Sequence, residues 1–340
     1  MKIDRVLPVG KLPVELLARF LDQVPIQDPR VVVGPGIGLD CAVVDMGDTF
    51  LVIKSDPITF AGDQIGWYLV QVNANDIATT GARPRWLLVT LLLPEGQTTA
   101  ELVEQISRQI NSACQEIGVW VIGGHTEITH GLARPIVVGT MIGEVAPDSL
   151  VTPRGASPGD RLLLTKGVPI EATAILAREF PDRLAPALSP AELEEAGNFL
   201  YNPGISVLRD ARVAMQAGRV TAMHDPTEGG LAAALWELAQ ACGHSLVVDP
   251  AAVPVPPLSA RICQALDLDP LAAIASGALL LAAPAEDAPK IRRMLEAEGI
   301  VCAEIGAVEA GPAAVWQKTK TDRKALPRPA RDEIARVFED

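Results

Sequence analysis

Residues 147–159 read Pro-Asp-Ser-Leu-Val-Thr-Pro-Arg-Gly-Ala-Ser-Pro-Gly, and they separate a pair of chain stretches written in the same style. On both sides, short β-rich runs alternate with amphipathic helical periods. A Pro-, Gly- and Ser-rich lapse in such a pattern is where domain boundaries fall. The expected division is therefore 1–150 and 151–340. The length of 340 residues agrees, because single cores stop growing near ~250–300 residues. Mixed strands and helices in both halves predict an α+β or α/β architecture, and periodicity alone leaves the two open.

In the first half, apolar spacing predicts a short helix over 14–24 and strands at 31–33, 42–44 and 50–53. A helix over 64–80 stops at Gly81, and 86–93 reads as a buried strand. Thr98 and Glu101 read as a capping box opening a helix that runs to Gly118. Strands follow at 119–122 and 136–145. The second half repeats strand and helix signals, with Ser189, Pro190 and Glu192 as a capping box. The charged tail, 319–340, is expected to drape over the surface.

Charge narrows the partners. Lys and Arg number 29 against 42 Asp and Glu, a net charge of −13. Such a surface repels phosphate backbones and argues against nucleic acid, while leaving room for a local anion site built from backbone N–H groups. Hydrophobic residues at 49% exclude intrinsic disorder. The most apolar segment, 271–285, is short of the roughly 20 residues a membrane span needs. Five scattered cysteines with no CxxC pair predict a reduced, cytoplasmic protein with no membrane partner.

Several segments carry chemistry-bearing residues. Gly34-Pro-Gly36-Ile-Gly38-Leu39-Asp40 lies beside a strand, and Lys54-Ser-Asp56-Pro57 ends one; plain turns explain these spacings as well as ligand loops do. Asn73, Asn75 and Asp76 interrupt an apolar helix, where such side chains compete for backbone groups and need a reason to be there. Gly123-Gly124-His125-Thr126-Glu127 follows directly on a strand and reads as a ligand loop or a hairpin turn. His224-Asp225-Pro-Thr-Glu228-Gly229-Gly230 leads into a helix, whose N-terminus favours anions or a side-chain cap. Lys166 stands at another strand end. Zinc spacing, a Walker loop, GxSxG and HExxH are all absent. If Asp40, Asp56 and Asp76 cluster, their oxygens suit magnesium beside phosphate.

The order of these segments resembles the aminoimidazole ribonucleotide synthetase (PurM-like) superfamily, which includes thiamine-phosphate kinase, selenophosphate synthetase and HypE. The matching motifs are Gly38-Leu-Asp40-Cys-Ala42, Ser55-Asp56, Asn75-Asp76-Ile-Ala78 with Gly81-Ala-Arg-Pro84, Gly123-Gly-His-Thr126, Asp225-Pro-Thr-Glu-Gly-Gly230 and Ser276-Gly-Ala-Leu279. The resemblance implies a two-domain fold: an N-terminal ATP-binding mixed-sheet domain that pairs with a second copy in a homodimer, and a C-terminal α/β domain. It also implies ATP and Mg2+ as cofactors. Asp40, Asp56 and Asp76 match the family's metal- and phosphate-binding acids, and Glu127 could replace the acid missing at His125. Asn75, Gly123, Gly124, His125 and Thr126 match phosphate-loop positions. Lys54, or Lys166, could offset developing charge, and His224, Asp225 or Glu228 could act on the acceptor.

Departures shape the functional expectation. Leu39 stands where many members carry an acid, and Glu228 where the HypE branch usually has arginine. The sequence ends Arg336-Val-Phe-Glu-Asp340 with no cysteine after Cys302, whereas HypE proteins end in the cysteine that receives a carbamoyl group. The expectation is an ATP-dependent phosphotransferase or ligase-like enzyme that phosphorylates or activates an unidentified small-molecule acceptor. The alternative is a HypE-like nucleotide-binding maturation or scaffold protein that docks a protein partner without carbamoyl dehydratase activity.

Overall fold

The computed structural model describes Leu7 and residues 10–59 and 62–339. It contains two sheets, one from each half of the chain, each mixed in direction. The strands are β1 (Val31–Val33), β2 (Ala42–Asp45), β3 (Phe50–Ile58), β4 (Arg83–Pro94), β5 (Trp120–Thr129), β6 (Ile136–Val145), β7 (Arg161–Thr165), β8 (Ala222–His224), β9 (Ser245–Val248), β10 (Leu280–Ala283), β11 (Cys302–Glu309), β12 (Ala314–Lys318) and β13 (Arg323–Ala325). The helices are α1 (Val14–Leu21), α2 (Ile65–Thr79), α3 (Ala100–Ile117), α4 (Ile170–Glu179), α5 (Pro181–Leu184), α6 (Pro190–Gly197), α7 (Leu208–Ala217), α8 (Gly230–Cys242), α9 (Pro257–Ala265), α10 (Ala288–Ala297) and α11 (Ala335–Glu339).

The first sheet runs β1-β2-β3-β6-β4-β5. Its pairs are antiparallel except β4–β5, which are parallel because α3 carries the chain back between them. The apolar strand foreseen at 86–93 lies in β4, paired on both sides by β6 and β5. It is therefore interior and not the free edge a dimer contact would use. The free edge on that side is β5, where Trp120, Ile122 and Ile128 are 73%, 55% and 59% exposed.

Every residue of α2 except Trp67 is buried. One side lies on β3 and β6 and the other faces the second half, so the helix is apolar nearly all round. Its approach to the sheet depends on missing side chains in β6. A Cβ at Gly139 would come within 2.8 Å of Asn73 Nδ2, and one at Gly143 within 2.4 Å of Ile77 Cγ2. The cap of α3 is Thr99, whose hydroxyl accepts from Leu102 N at 3.2 Å, one residue past the foreseen Thr98. Thr98 instead donates to Pro94 O. The capping box of Ser189 with Glu192 forms as its sequence dictates.

The second sheet runs β13-β12-β9-β11-β7-β10-β8, with only β12–β9 parallel. Alternate residues of β7 and β10 enter different cores. Leu162, Leu164, Leu280 and Ala282 pack with Leu231, Leu235 and Leu238 of α8. Leu163, Leu281 and Ala283 pack with α7 and α10. Helices on both faces explain why these strands are unbroken apolar runs.

The tail departs from its expected draping. Asp332, Ile334, Ala335 and Val337 are buried. Asp332 accepts from Gly229 N at 2.6 Å and from Ile334 N at 2.9 Å, and Ile334 and Val337 join the core shared with α2. Among the described residues, no helix is long and apolar enough to cross a membrane.

Candidate functional site

Alternation along β3 turns Val52, Lys54, Asp56 and Ile58 toward α2, because successive side chains point to opposite faces of a strand. Lys54 Nζ then stands 3.2 Å from Asp56, 3.2 Å from Asp76 of α2 and 3.7 Å from Asp40, in the turn before β2. The second half closes the cluster from β8. His224 Nε2 lies 3.8 Å from Asp40 and 3.1 Å from Glu237 of α8. Gly38 lets the first-half turn seat on α8: its φ is +72°, and a Cβ there would sit 2.5 Å from Glu237 O.

Charge in this cluster is unevenly held. Burial raises Asp40, but Lys54, His224 and Lys11 outweigh it and hold the carboxyl down at about 2. Burial pushes Asp76 up to about 7; Lys54 opposes this, and Asp40 and Asp56 add to it. Burial lifts Asp225 far above the usual carboxylate range, helped by Asp76 and Asp40. Burial works against the Lys54 ammonium, yet Asp76, Asp40 and Asp56 keep it firmly charged. His224 Nδ1 faces Asp225 O at 3.0 Å and Nε2 faces the Glu237 carboxylate. Both partners are acceptors, an arrangement that favours the imidazolium, which donates from both nitrogens. Its raised pKa agrees: burial opposes the charge, while Asp40 and Glu237 favour it.

The cluster is rich in unsatisfied oxygen. Asp225 is 1% exposed, and neither of its carboxylate oxygens has a hydrogen-bond partner. Asp76 Oδ2 meets Lys54 without hydrogen-bond geometry. An all-oxygen set with idle lone pairs fits a hard divalent cation such as Mg2+. Among the described residues, no three ligating side chains stand ready-made around a metal position. Lys54 draws Asp40, Asp56 and Asp76 to itself.

Other foreseen site residues lie elsewhere or have other tasks. Asn75 donates from Nδ2 to Ile205 O and accepts at Oδ1 from Val207 N, both at 2.8 Å. Its whole amide is spent clamping α2 to the second half, which leaves nothing for phosphate. Asn73 similarly accepts from Asp56 N and donates to Leu69 O. Gly123, Gly124, His125, Thr126 and Glu127 do not form a loop. They continue β5 in register with β4. The aligned row Asp56–Gly139–Val89–Gly124 places them three strand spacings from the acids, roughly 14 Å, with α2 seated over the sheet between. Glu127 is half exposed and pairs with His125 at 3.2 Å. Lys166 is bound to Asp210 at 3.1 Å and to Ser206 O at 2.5 Å. The anion-binding end foreseen at Gly229-Gly230 is filled by the chain's own Asp332, and Glu228 accepts from Lys11 N at 3.0 Å.

Sequence reasoning missed Lys11 and Glu237. Lys11 Nζ reaches Glu237 at 3.4 Å across 226 positions of chain, and Glu237 fixes the imidazolium. Glu237 sits in a helix whose exposed face also carries polar residues, so no local signal marks it.

Residues 38–145 match the family described as AIR synthase related protein, N-terminal domain, and residues 157–317 match its C-terminal domain. A putative hydrogenase expression/formation protein of Methanocaldococcus jannaschii is 30% identical over 320 residues, covering 90% of this chain and 91% of that protein. The chain belongs to the AIR synthase-related family. Solved structures place the family fold beside it. HypE in its complex with HypF gives a TM-score of 0.75 at 19% identity, over 93% of this chain and 100% of that one. HypE in complex with ATP gives 0.68 at 25% identity, over 92% and 89%. In this AIR synthase-related chain the acid cluster therefore lies at the seam between the family's paired domains, with Asp40, Asp56 and Asp76 from the first and His224 and Asp225 from the second.

Proposed function

We propose that this chain binds Mg-ATP at the Lys54 cluster and uses it to phosphorylate or activate a small-molecule acceptor. One observation carries the reading: Lys54 gathers Asp40, Asp56 and Asp76, and Asp225, buried with both oxygens idle, lies within electrostatic reach of Asp76, Asp40 and Lys54. Carboxyl oxygens left without partners beside three further acids suit a hard cation. The ATP complex of HypE supports the nucleotide.

In this reading Asp40, Asp56, Asp76 and Asp225 hold Mg2+. When bound, the ion neutralises phosphate charge, which is most of what phosphoryl transfer asks of a site. Lys54 keeps the carboxylates gathered and adds positive charge where negative charge develops. Glu237 locks His224 as an imidazolium that donates toward Asp40's side of the site, making His224 a positioning and charge-balancing residue. Domains divided near residue 150 then each supply residues to a single site.

The functional unit in this reading is a homodimer formed through β5. Its outer edge is free and its apolar side chains are exposed, a combination that monomers avoid. Gly123, Gly124, His125, Thr126 and Glu127 then belong to the dimer contact and not to their own chain's acid cluster.

The test is calorimetry with Mg-ATP followed by ATP turnover with candidate acceptors. Binding without turnover under any acceptor, together with capture of one protein partner, would move the chain to a scaffold role.

A further inference from the structure

A second set of idle polar groups lies along α2, away from the acids. Trp67 Nε1, Tyr68 Oη, both ends of the Gln71 amide and, from the second half, Ser276 Oγ are all buried without a hydrogen-bond partner. Tyr68 and Gln71 are each 1% exposed, and Ser276 is fully buried. Buried polar groups are normally satisfied, and each idle one costs about 1–3 kcal/mol. Five such atoms along one seam are too many to be incidental.

Helix geometry places them together. Residues 67, 71 and 75 share one stripe of α2, four positions apart. Trp67 packs edge-on against Tyr201, with ring centroids 5.1 Å apart, and Asn75 bonds Ile205 O and Val207 N. Gln71, between them, therefore faces the same 201–207 segment. Ser276 adjoins it from behind. A Cβ on neighbouring Gly277 would come within 2.8 Å of Gly204 O and 3.0 Å of Ile205 Cα. Ser276 N donates to the Glu171 carboxyl at 3.3 Å.

Tyr68 links the inner wall to the surface. Burial, then Glu171, raises its phenol, while Arg178 opposes the shift and Asp63 and Tyr201 add to it. Glu171 is thus one electrostatic neighbour of the phenol, and Arg178, Asp63 and Tyr201, joined to one another through Arg178, form a more exposed rim. At that rim Arg178 lies 5.8 Å from the Tyr201 ring centre, and Tyr201 is 42% exposed. Burial pushes Glu171 up to about 7, against hydrogen bonding from Ser276, so the inner wall bears less than a full carboxylate charge at neutral pH. Tyr68 lies about 12 Å along the helix axis from Asp76.

We propose that this seam, lined by Tyr68, Gln71, Glu171 and Ser276, binds a small uncharged molecule with adjacent hydrogen-bond donor and acceptor groups, and that this molecule is the acceptor. The free amide of Gln71 offers one donor and one acceptor side by side, which such a molecule matches. The hydroxyls of Tyr68 and Ser276 serve either role. Only the molecule's role as acceptor rests on the ATP-dependent reading; the binding site stands without it.

The probe is 2-pyridone, a planar lactam with neighbouring N–H and C=O, titrated into nucleotide-free protein and followed by saturation-transfer NMR. Wild type should bind it, and Gln71→Leu, Tyr68→Phe and Ser276→Ala should each weaken binding at least tenfold. Near-UV circular dichroism checks that each variant is folded, and Ser276→Ala, the smallest change, carries the test if another fails. Absence of binding to wild type, or equal binding to folded variants, overturns the site. Mg-ATP calorimetry on the same proteins separates the two ideas: these variants should keep nucleotide affinity. Lactam binding in a wild type that ignores Mg-ATP would retain the seam and remove its role as an acceptor site.

Discussion

The Lys54 ammonium lies 3.2 Å from the Asp76 carboxylate, joining a β3 side chain to an α2 side chain at the point where both halves of the molecule meet. Lys54 is the internal counter-ion shared by Asp40, Asp56 and Asp76, with His224 also beside Asp40. Breaking a buried ion pair from one side costs about 3–5 kcal/mol, because the other charge is left buried and alone.

Lys54→Met should therefore lower stability by about 3 kcal/mol in chelator and leave the carboxylates hungry for a divalent ion. Thermal unfolding with EDTA and with Mg2+ measures this. The expected result is a large loss in EDTA, much of it restored by Mg2+. An unchanged midpoint in both conditions would show that the lysine does not balance the acids.

The free edge of β5 predicts a self-association that surface charge should abolish. Replacing Ile122 and Ile128 with Lys puts two like charges on each exposed edge. Sedimentation at micromolar concentration should give a dimer for wild type and a monomer for the double variant. A monomeric wild type contradicts the dimer.

Much of the site's vocabulary was readable from the sequence, and its grammar was not. Asp76 stood out because a carboxylate in an apolar helix needs a reason. Asn75 stood out for the same reason, yet it serves backbone of the second half. A polar side chain that pairs with distant main chain looks the same in sequence as one that waits for a ligand. Gly123 and Gly124 read as a ligand loop or a hairpin turn, but seven consecutive pairings with β4, after a bulge at Ile122, hold 123–129 in a strand, since tertiary context overrides weak local preference. The strand order that makes β5 and not β4 the edge depends on pairings with β6, which no local pattern encodes. Asp332 was hidden in a charged tail because its partner, Gly229 N–H, lies 103 positions away.

Glu171 gives stability a pH dependence. Burial lifts its folded value from 4.5 to about 7. A group with a raised folded value stabilises fully below its unfolded value and loses that contribution as pH rises through the folded one. The loss falls between about pH 4.5 and 7 and amounts to roughly 3 kcal/mol. Urea unfolding of wild type and Glu171→Gln at pH 5 and pH 8 measures the difference. The variant should be the more stable of the two at pH 8 and should lose less between the two pH values. Parallel behaviour would place the Glu171 carboxyl in a more solvated setting.

The cysteines are structural. Burial raises every thiol, Cys114 to about 11 and Cys263 and Cys302 to about 12, with Cys41 well above the usual thiol value and Cys242 shifted in the same direction. A nucleophilic thiol needs the opposite shift. Cys41 adjoins the site only by donating from Sγ to Asp76 O, a bond serine can replace. Replacing all five with Ser or Ala should leave ATP-dependent activity largely intact, at some cost in packing. Lost turnover in a mutant that folds and binds ATP would restore thiol chemistry.

Everything proposed for this site requires that the acids gathered at Lys54 hold Mg-ATP, and Asp76 is the member whose change is nearest to isosteric. Isothermal titration of Mg-ATP into wild type and Asp76→Asn tests that requirement most directly. Wild type should bind in a magnesium-dependent way, and the variant should remain folded and lose at least tenfold in affinity. Equal affinity in the two proteins, or no binding to wild type, would contradict it.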